Sequence, residues 1–255
     1  MRCVSCLRWY AAALALRCSH LNRALYVLKN GANMAFEIET KKQIQNYIEG
    51  HLADWDWHQA RFNIISDETL RDRLADEFMS ARYIYKLLEG MAADDWLLRA
   101  QIRIQVLSYA SIYEAVIHHI LFEDFKTHPE VIALTEFQAK KVISIPANKL
   151  ATLEKELEHD GKKIIPTYIG IGRTDITKVR FDSKAECAFK LGLIDEWLRD
   201  EIIEFYEARN AIHIHAEIRK SLEYQLDLSK RAYRRMEPFI EQITNNHSSV
   251  AASNV

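Results

Sequence analysis

Glycine and proline are scarce in this chain of 255 residues, at seven and four. Few turn-makers over this length exclude a many-stranded β-sandwich and favour long helices. Cysteine is rarer still. Of four, Cys3, Cys6 and Cys18 crowd into the first 36 residues, which leaves Cys187 alone in the bulk of the chain. A disulfide scaffold is excluded there, and a reducing cytoplasm fits. No apolar run reaches the ~18 residues that a membrane-spanning helix needs. Net charge is also lacking, at −2. No global positive field recommends nucleic acid, so any such contact must be local. What is present, 49% hydrophobic and 27% charged residues, is ordinary for a globular protein able to bury about 70–75% of its unfolded surface.

The charge is unevenly placed. Residues 1–36 carry Arg2, Arg8, Arg17, Arg23 and Lys29 and no acid. With −2 for the whole chain and +5 here, the remainder stands at −7. Arg8 and Arg17 interrupt the apolar core that a secretory signal needs. An Arg-rich, acid-free leader also resembles an organellar transit peptide. A membrane-touching segment and an extra helix are further readings. The expectation favoured here is that 1–33 is an extension outside the fold, because helical patterning begins just after Met34. Cys3-x-x-Cys6 with Cys18 and His20 lacks the spacing of a known zinc finger.

From there the periodicity predicts a mainly α protein. Thr40 can cap a helix bearing Ile44, Ile48 and Leu52. A Trp-rich link follows at residues 54–57. Asp67 caps a second helix, with Leu70, Leu74, Phe78, Ala81 and Leu88 in phase, ending near Gly90. Together these make an N-terminal helical section, 34–94. A third helix, from Asp94–Asp95 to about Lys126, is apolar nearly all round and predicts the buried centre of a bundle over 95–244. Helices are expected from Pro129 to about Ser144 and from Ala147 to Glu158. An inserted β-hairpin over about 160–182 pairs Ile164–Ile171 with Ile176–Phe181. Helical segments follow at Ser183–Leu191, Leu193–Ile212 and Glu217–Thr244. The small, polar tail 245–255 is expected to be disordered.

Chemistry concentrates in Tyr206-Glu-Ala-Arg209-Asn210-Ala-Ile-His213-Ile-His215-Ala-Glu217. Arg offers a planar fork of donors suited to phosphate oxygens. His titrates near neutrality and can give or take a proton. Asn can orient either neighbour. RNA cleavage without a metal needs a base for the 2′-hydroxyl, an acid for the leaving oxygen and a cation for the developing charge. One Arg-His pair rarely supplies all three, but a two-fold dimer supplies two. The bland alternative is a surface ion-pair cluster with Glu207 and Glu217.

An Arg, a polar residue and then a His after four to six positions, in front of the last long helix of an α-bundle, resembles the HEPN superfamily (higher eukaryotes and prokaryotes nucleotide-binding domain). Arg209 and His215 have five residues between them, and Asn210 fills the polar slot. The apolar helix 98–122, with Ser108 and Glu114, is similar to the first core helix of that family. The resemblance implies an up-and-down helical bundle and a metal-independent endoribonuclease that works as a homodimer, in toxin–antitoxin, stress or antiphage settings, with an antitoxin or other regulatory protein as a possible partner. It implies no cofactor and no metal, and a cytoplasmic protein that does not enter a membrane. Other members are non-catalytic modules that bind a nucleotide or a partner protein.

On that resemblance Arg209 clamps the scissile phosphate, His215 moves the proton and Asn210 positions one of them. His213 and Glu114 are supporting candidates. An unbroken helix would put His213, not His215, on the face of Arg209. The resemblance therefore requires a helix end or kink between 210 and 216. Glu114, a carboxylate on an apolar helix, needs a cation such as Arg209 beside it. Arg231, Arg234 and Arg235, with Lys230, are either a solvated face or an RNA-tracking stripe. His118 and His119 with Glu114 and Glu123 lack the Glu-x-x-His pairs of a dinuclear metal bundle.

Overall fold

Pattern and local chemistry set most of the helix starts. In the computed structural model, residues 36–157, 159–211, 215 and 225–252 are described; the leader reading for 1–33 lies outside them. Two compact units divide at Leu52 and Ala53. The first contains α1 (Ile38–Glu49), which begins after Glu37 rather than Thr40.

The second unit contains α2 (Trp55–Ala60), α3 (Glu68–Gly90), α4 (Asp95–His119), α5 (Pro129–Thr135), β1 (Glu136–Val142), α6 (Ala147–Glu156), β2 (Thr167–Arg173), α7 (Phe181–Lys190), α8 (Glu196–Asn210), α9 (Leu226–Arg234) and α10 (Met236–Ala252). Among the described residues the protein is thus mainly helical, with one two-stranded antiparallel sheet. Asp54, Asp67 and Asp195 cap α2, α3 and α8, accepting from the N–H of Trp57, Leu70 and Leu198 at 2.9, 3.2 and 2.8 Å. Each satisfies a donor that the first helical turn leaves unpaired.

Helix α4 packs against α3, α7, α8 and α9. Its C-terminus widens into a π-turn over Ile120–Asp124. Tyr109 and Tyr113 are the largest side chains that it buries completely. The Tyr113 ring lies edge-on to Phe239 at 4.9 Å, and its hydroxyl donates to the Ala232 carbonyl at 2.7 Å. That bond ties α4 to α9. Burying a side chain of this size contributes about 1.5–3 kcal/mol. Helices α3 and α4 share one apolar core, with Phe78 against Tyr109. The expected boundary between 94 and 95 is therefore not where the compact units divide. Burial of α4 is not all round: Trp96, Ile104 and Leu107 are exposed.

The structure corrects several expectations. First, the helix from Pro129 stops at Thr135, and residues 136–142 form β1, although Glu, Gln, Ala and Lys favour helix. Second, β2 pairs with β1, not with Ile176–Phe181, in a register that sets Glu136 opposite Arg173 and Val142 opposite Thr167. Ile176–Lys178 is a 3₁₀ turn, with Asp175 accepting from the Thr177 N–H at 2.8 Å and from its hydroxyl at 2.6 Å. Phe181 enters the core at the start of α7. Third, the tail is helical to Ala252. Asn246 donates to the Leu193 carbonyl at 3.2 Å, His247 meets Asp124 at 3.0 Å and Val250 packs on the core. The last helix is also divided at Arg235. Pro238 has no N–H for the Arg234 carbonyl, so the ladder cannot run through. Residues 216–224 of the expected helix lie outside the described part.

Candidate functional site

Arg209 occupies the last turn of α8, and the helix ends one residue later. The Ala211 N–H closes the end on the carbonyls of Glu207 and Ala208, at 3.0 and 3.2 Å. Helix α8 thus ends at Asn210, and His215 beyond it is again helical. Ile212 and Ile214, β-branched and weak helix formers, follow α8 in sequence. His215 is exposed. His213 lies outside the described residues.

Three helices meet around the Arg209–Glu114 pair. From α4, Glu114 accepts from Arg209 Nη1 at 3.0 Å through Oε2. From α8, the Tyr206 hydroxyl donates to Glu114 Oε1 at 3.4 Å, and the Arg209 guanidinium lies 5.0 Å over the Tyr206 ring. From α7, Lys184 Nζ stands 3.7 Å from Glu114 Oε1, while Phe181 stacks on Tyr206 at 4.5 Å. Glu114 thus serves two cations and a phenol, which answers the requirement that a carboxylate on this helix be paired. The pair with Arg209 is about a quarter exposed on each side, whereas Lys184 is buried. Desolvation pulls the Lys184 ammonium below its ordinary pKa, and Glu114 opposes that shift.

Two clefts flank the cluster. One, of about 370 Å³, is lined by Ser111, Glu114, His118, Glu123, Thr177 and Lys184. The other, of about 180 Å³, is lined by Arg180, Phe181, Tyr206, Glu207 and Asn210. Asn210 thus opens on the second cleft, and the Tyr206–Glu114 bond joins it to the first. His118, one turn beyond Glu114, has its pKa lowered by desolvation and then by the Lys184 charge. A neutral imidazole at pH 7 can accept a proton. His119 is buried, with Nε2 3.5 Å from Ser66 Oγ. Among the described residues no three His, Cys, Asp or Glu side chains are grouped to hold a metal ion.

The arginine stripe is compensated rather than open. Arg231 donates to Glu204 at 2.8 and 2.6 Å, to Glu201 at 3.3 Å and to Asp227 at 3.2 Å. Those bonds to Glu204 hold its pKa above the usual guanidinium value. Arg235 bonds Glu201 and stacks 4.0 Å over Trp197. Arg234 is exposed. Through Glu201 and Glu204, Arg231 and Arg235 tie the C-terminal end of α9 to α8. Sequence reasoning missed Lys184 and Tyr206. A signal existed for the first, since Lys184 lies in phase with Phe181, Ala185 and Ala188 on an apolar stripe.

Among the described residues no helix is long and apolar enough to cross a membrane. No family model, curated protein or solved structure matches the chain.

Proposed function

We propose that this protein is a metal-independent endoribonuclease of the HEPN type, acting as a homodimer in the cytoplasm in a toxin–antitoxin, stress or antiphage setting. The observation that carries the reading is the end of α8 at Asn210, directly behind an Arg209 held by the central helix. An unbroken helix would turn His215 away from Arg209. A helix end removes that obstacle.

Each residue then has a chemical role. Glu114 and Tyr206 fix the plane of the Arg209 fork, so that little freedom is lost when a phosphate binds. Arg209 neutralises the charge that develops on the phosphorane oxygens. His215 takes the 2′-hydroxyl proton or returns one to the 5′-leaving oxygen, and its symmetry copy does the other. Asn210 positions one of them. Attack by the 2′-oxygen on phosphorus breaks the P–O5′ bond and leaves a 2′,3′-cyclic phosphate. A regulatory protein that covered Arg209 would silence it.

The test is product-end analysis after the full chain meets total cellular RNA. The expected products carry 2′,3′-cyclic phosphates, His215→Ala abolishes them and His213→Ala does not. Loss with His213→Ala alone would assign the wrong histidine; products with 3′-hydroxyl ends would overturn the mechanism. A second reading is a non-catalytic module that binds a nucleotide or partner protein. One observation favours its partner-protein form: Glu114 already occupies Arg209 Nη1, and a cation so neutralised binds phosphate less strongly.

A further inference from the structure

Among the described residues the β1–β2 ribbon has two outer edges, and they differ in character. Strand β1 carries Lys140 and Lys141, and charges of this kind, lysine above all, keep an edge from pairing with another chain. Strand β2, Thr167-Tyr-Ile-Gly-Ile-Gly-Arg173, has no charge, proline or bulge before Arg173, and Arg173 is held by Glu136 at 2.9 Å. Ile169 and Ile171 are each 63% exposed, as is much of Tyr168. A two-stranded ribbon is marginal in water unless something covers it.

Hydrogen-bond phase shows which groups β2 presents. The bonds Ile143 N–H to Pro166 carbonyl (2.9 Å) and Thr174 N–H to Thr135 carbonyl (2.8 Å) belong to the same ladder. Alternation along an antiparallel pair then directs Tyr168, Gly170 and Gly172 towards β1. The N–H and C=O groups of Thr167, Ile169, Ile171 and Arg173 face outward.

We infer that the outer edge of β2 pairs antiparallel with β2 of a second copy of this chain, across a two-fold axis at Gly170, to form a four-stranded sheet in the order β1-β2-β2-β1. The sequence of β2 is self-complementary in that register. Ile169 meets Ile171 of the partner and exchanges both ladder bonds with it. Tyr168 meets the partner's Gly172, and Thr167 meets its Arg173. The two Gly170 residues face each other as a non-hydrogen-bonded pair, where backbones approach most closely and a missing Cβ suits. Tyr168 lies against Gly170 of its own strand, its Cε2 3.2 Å from where a Cβ would stand, and would share that face with the Phe137 ring that already covers the partner's Gly172. A one-residue slip would lose this match and turn the isoleucines against opposite faces. An isologous contact of this kind closes as a dimer, and the lysines on β1 prevent the sheet from growing further.

The test is light scattering on the full chain over a range of concentration, with two edge variants. Twice the chain mass is expected for the wild type. Ile169→Lys/Ile171→Lys should give a monomer with unchanged helical circular dichroism, while Gln138→Lys, on the same face of the guarded edge, should leave the dimer intact. Independently, Gly170→Cys should oxidise to a disulfide-linked dimer whose 170–170 peptide is identified by mass spectrometry; the Lys141 and Tyr168 side chains, 3.0 and 3.2 Å from such a Cβ, must both give way. A wild-type monomer, or a dimer indifferent to the edge lysines and not linked through the introduced thiol, would overturn the inference. A wild-type monomer would also remove the homodimer that the ribonuclease reading needs, whereas a dimer indifferent to the edge lysines would overturn this inference alone, and a dimer linked through Gly170→Cys that leaves RNA intact would overturn the ribonuclease reading alone.

Discussion

Replacing Glu114 with Gln keeps the shape of the side chain and removes the one charge that faces both Lys184 and Arg209. At 3.7 Å and an effective dielectric of about 20, the attraction to Lys184 is about 4–5 kcal/mol. Glu114 is about a quarter exposed, and solvent screening reduces the loss to about 2 kcal/mol. Lys184→Met removes the buried ammonium at similar volume and should cost less than about 1 kcal/mol. The double variant should recover most of the loss, because no unpaired buried charge remains. Urea unfolding at pH 7 measures all three. The pH dependence has a definite sign. The folded pKa of Lys184 lies below the unfolded value, so between the two the unfolded chain holds more protons and stability rises with pH. Glu114→Gln should enlarge that alkaline gain. A Glu114→Gln protein as stable as wild type, or a double variant no better than the single, would refute the reasoning.

Other consequences are simpler. Tyr113→Phe leaves the buried Ala232 carbonyl without its donor and should cost about 1–2 kcal/mol in the same assay. Gly192, at φ +75°, closes α7 with its N–H on Phe189 and the Leu193 N–H on Ala188, the Schellman pattern. A Cβ there meets nothing, so Gly192→Ala should cost about 1–2 kcal/mol from backbone conformation alone. Burial lowers the pKa of both His58 and His118. The unfolded chain therefore takes those protons first as pH falls below 6.5, and stability should drop through that window and then level. For His58, protonation also breaks the 3.2 Å bond that Nε2 accepts from Arg82. Urea midpoints at pH 7, 6 and 5 check the trend, and His118→Asn should flatten it.

The sequence made the helices legible where one stripe had to be buried. Phe78 and Ala81 on α3 and Tyr109 and Val116 on α4 lie in phase and are buried. Asp67 marks a helix start by a local rule; the same rule was passed over at Asp54, where a link was expected and α2 begins, and at Asp195, where the start was put at Leu193. The pattern failed where structure depends on distant partners. Residues 136–142 consist mostly of helix formers and become a strand because β2, some thirty residues on, supplies the ladder. The tail looks soluble and unstructured until Leu193 and Asp124 are placed beside Asn246 and His247. At the site, Arg209 and the need of Glu114 for a cation were readable from residue type. Lys184 and the role of Tyr206 were not found, because α7 comes beside α4, and Tyr206 of α8 beside Glu114, only in three dimensions, although the phase of Lys184 on an apolar stripe carried the hint.

The account turns on whether Arg209 and His215 cut RNA without a metal. The direct measurement is cleavage of total cellular RNA by the full chain in excess EDTA, beside the Arg209→Ala/His215→Ala double variant. Cleavage by the wild type that survives EDTA and falls at least about 100-fold in the variant is the predicted result. A folded wild-type protein that leaves RNA intact, or a double variant that cuts as fast, would contradict it.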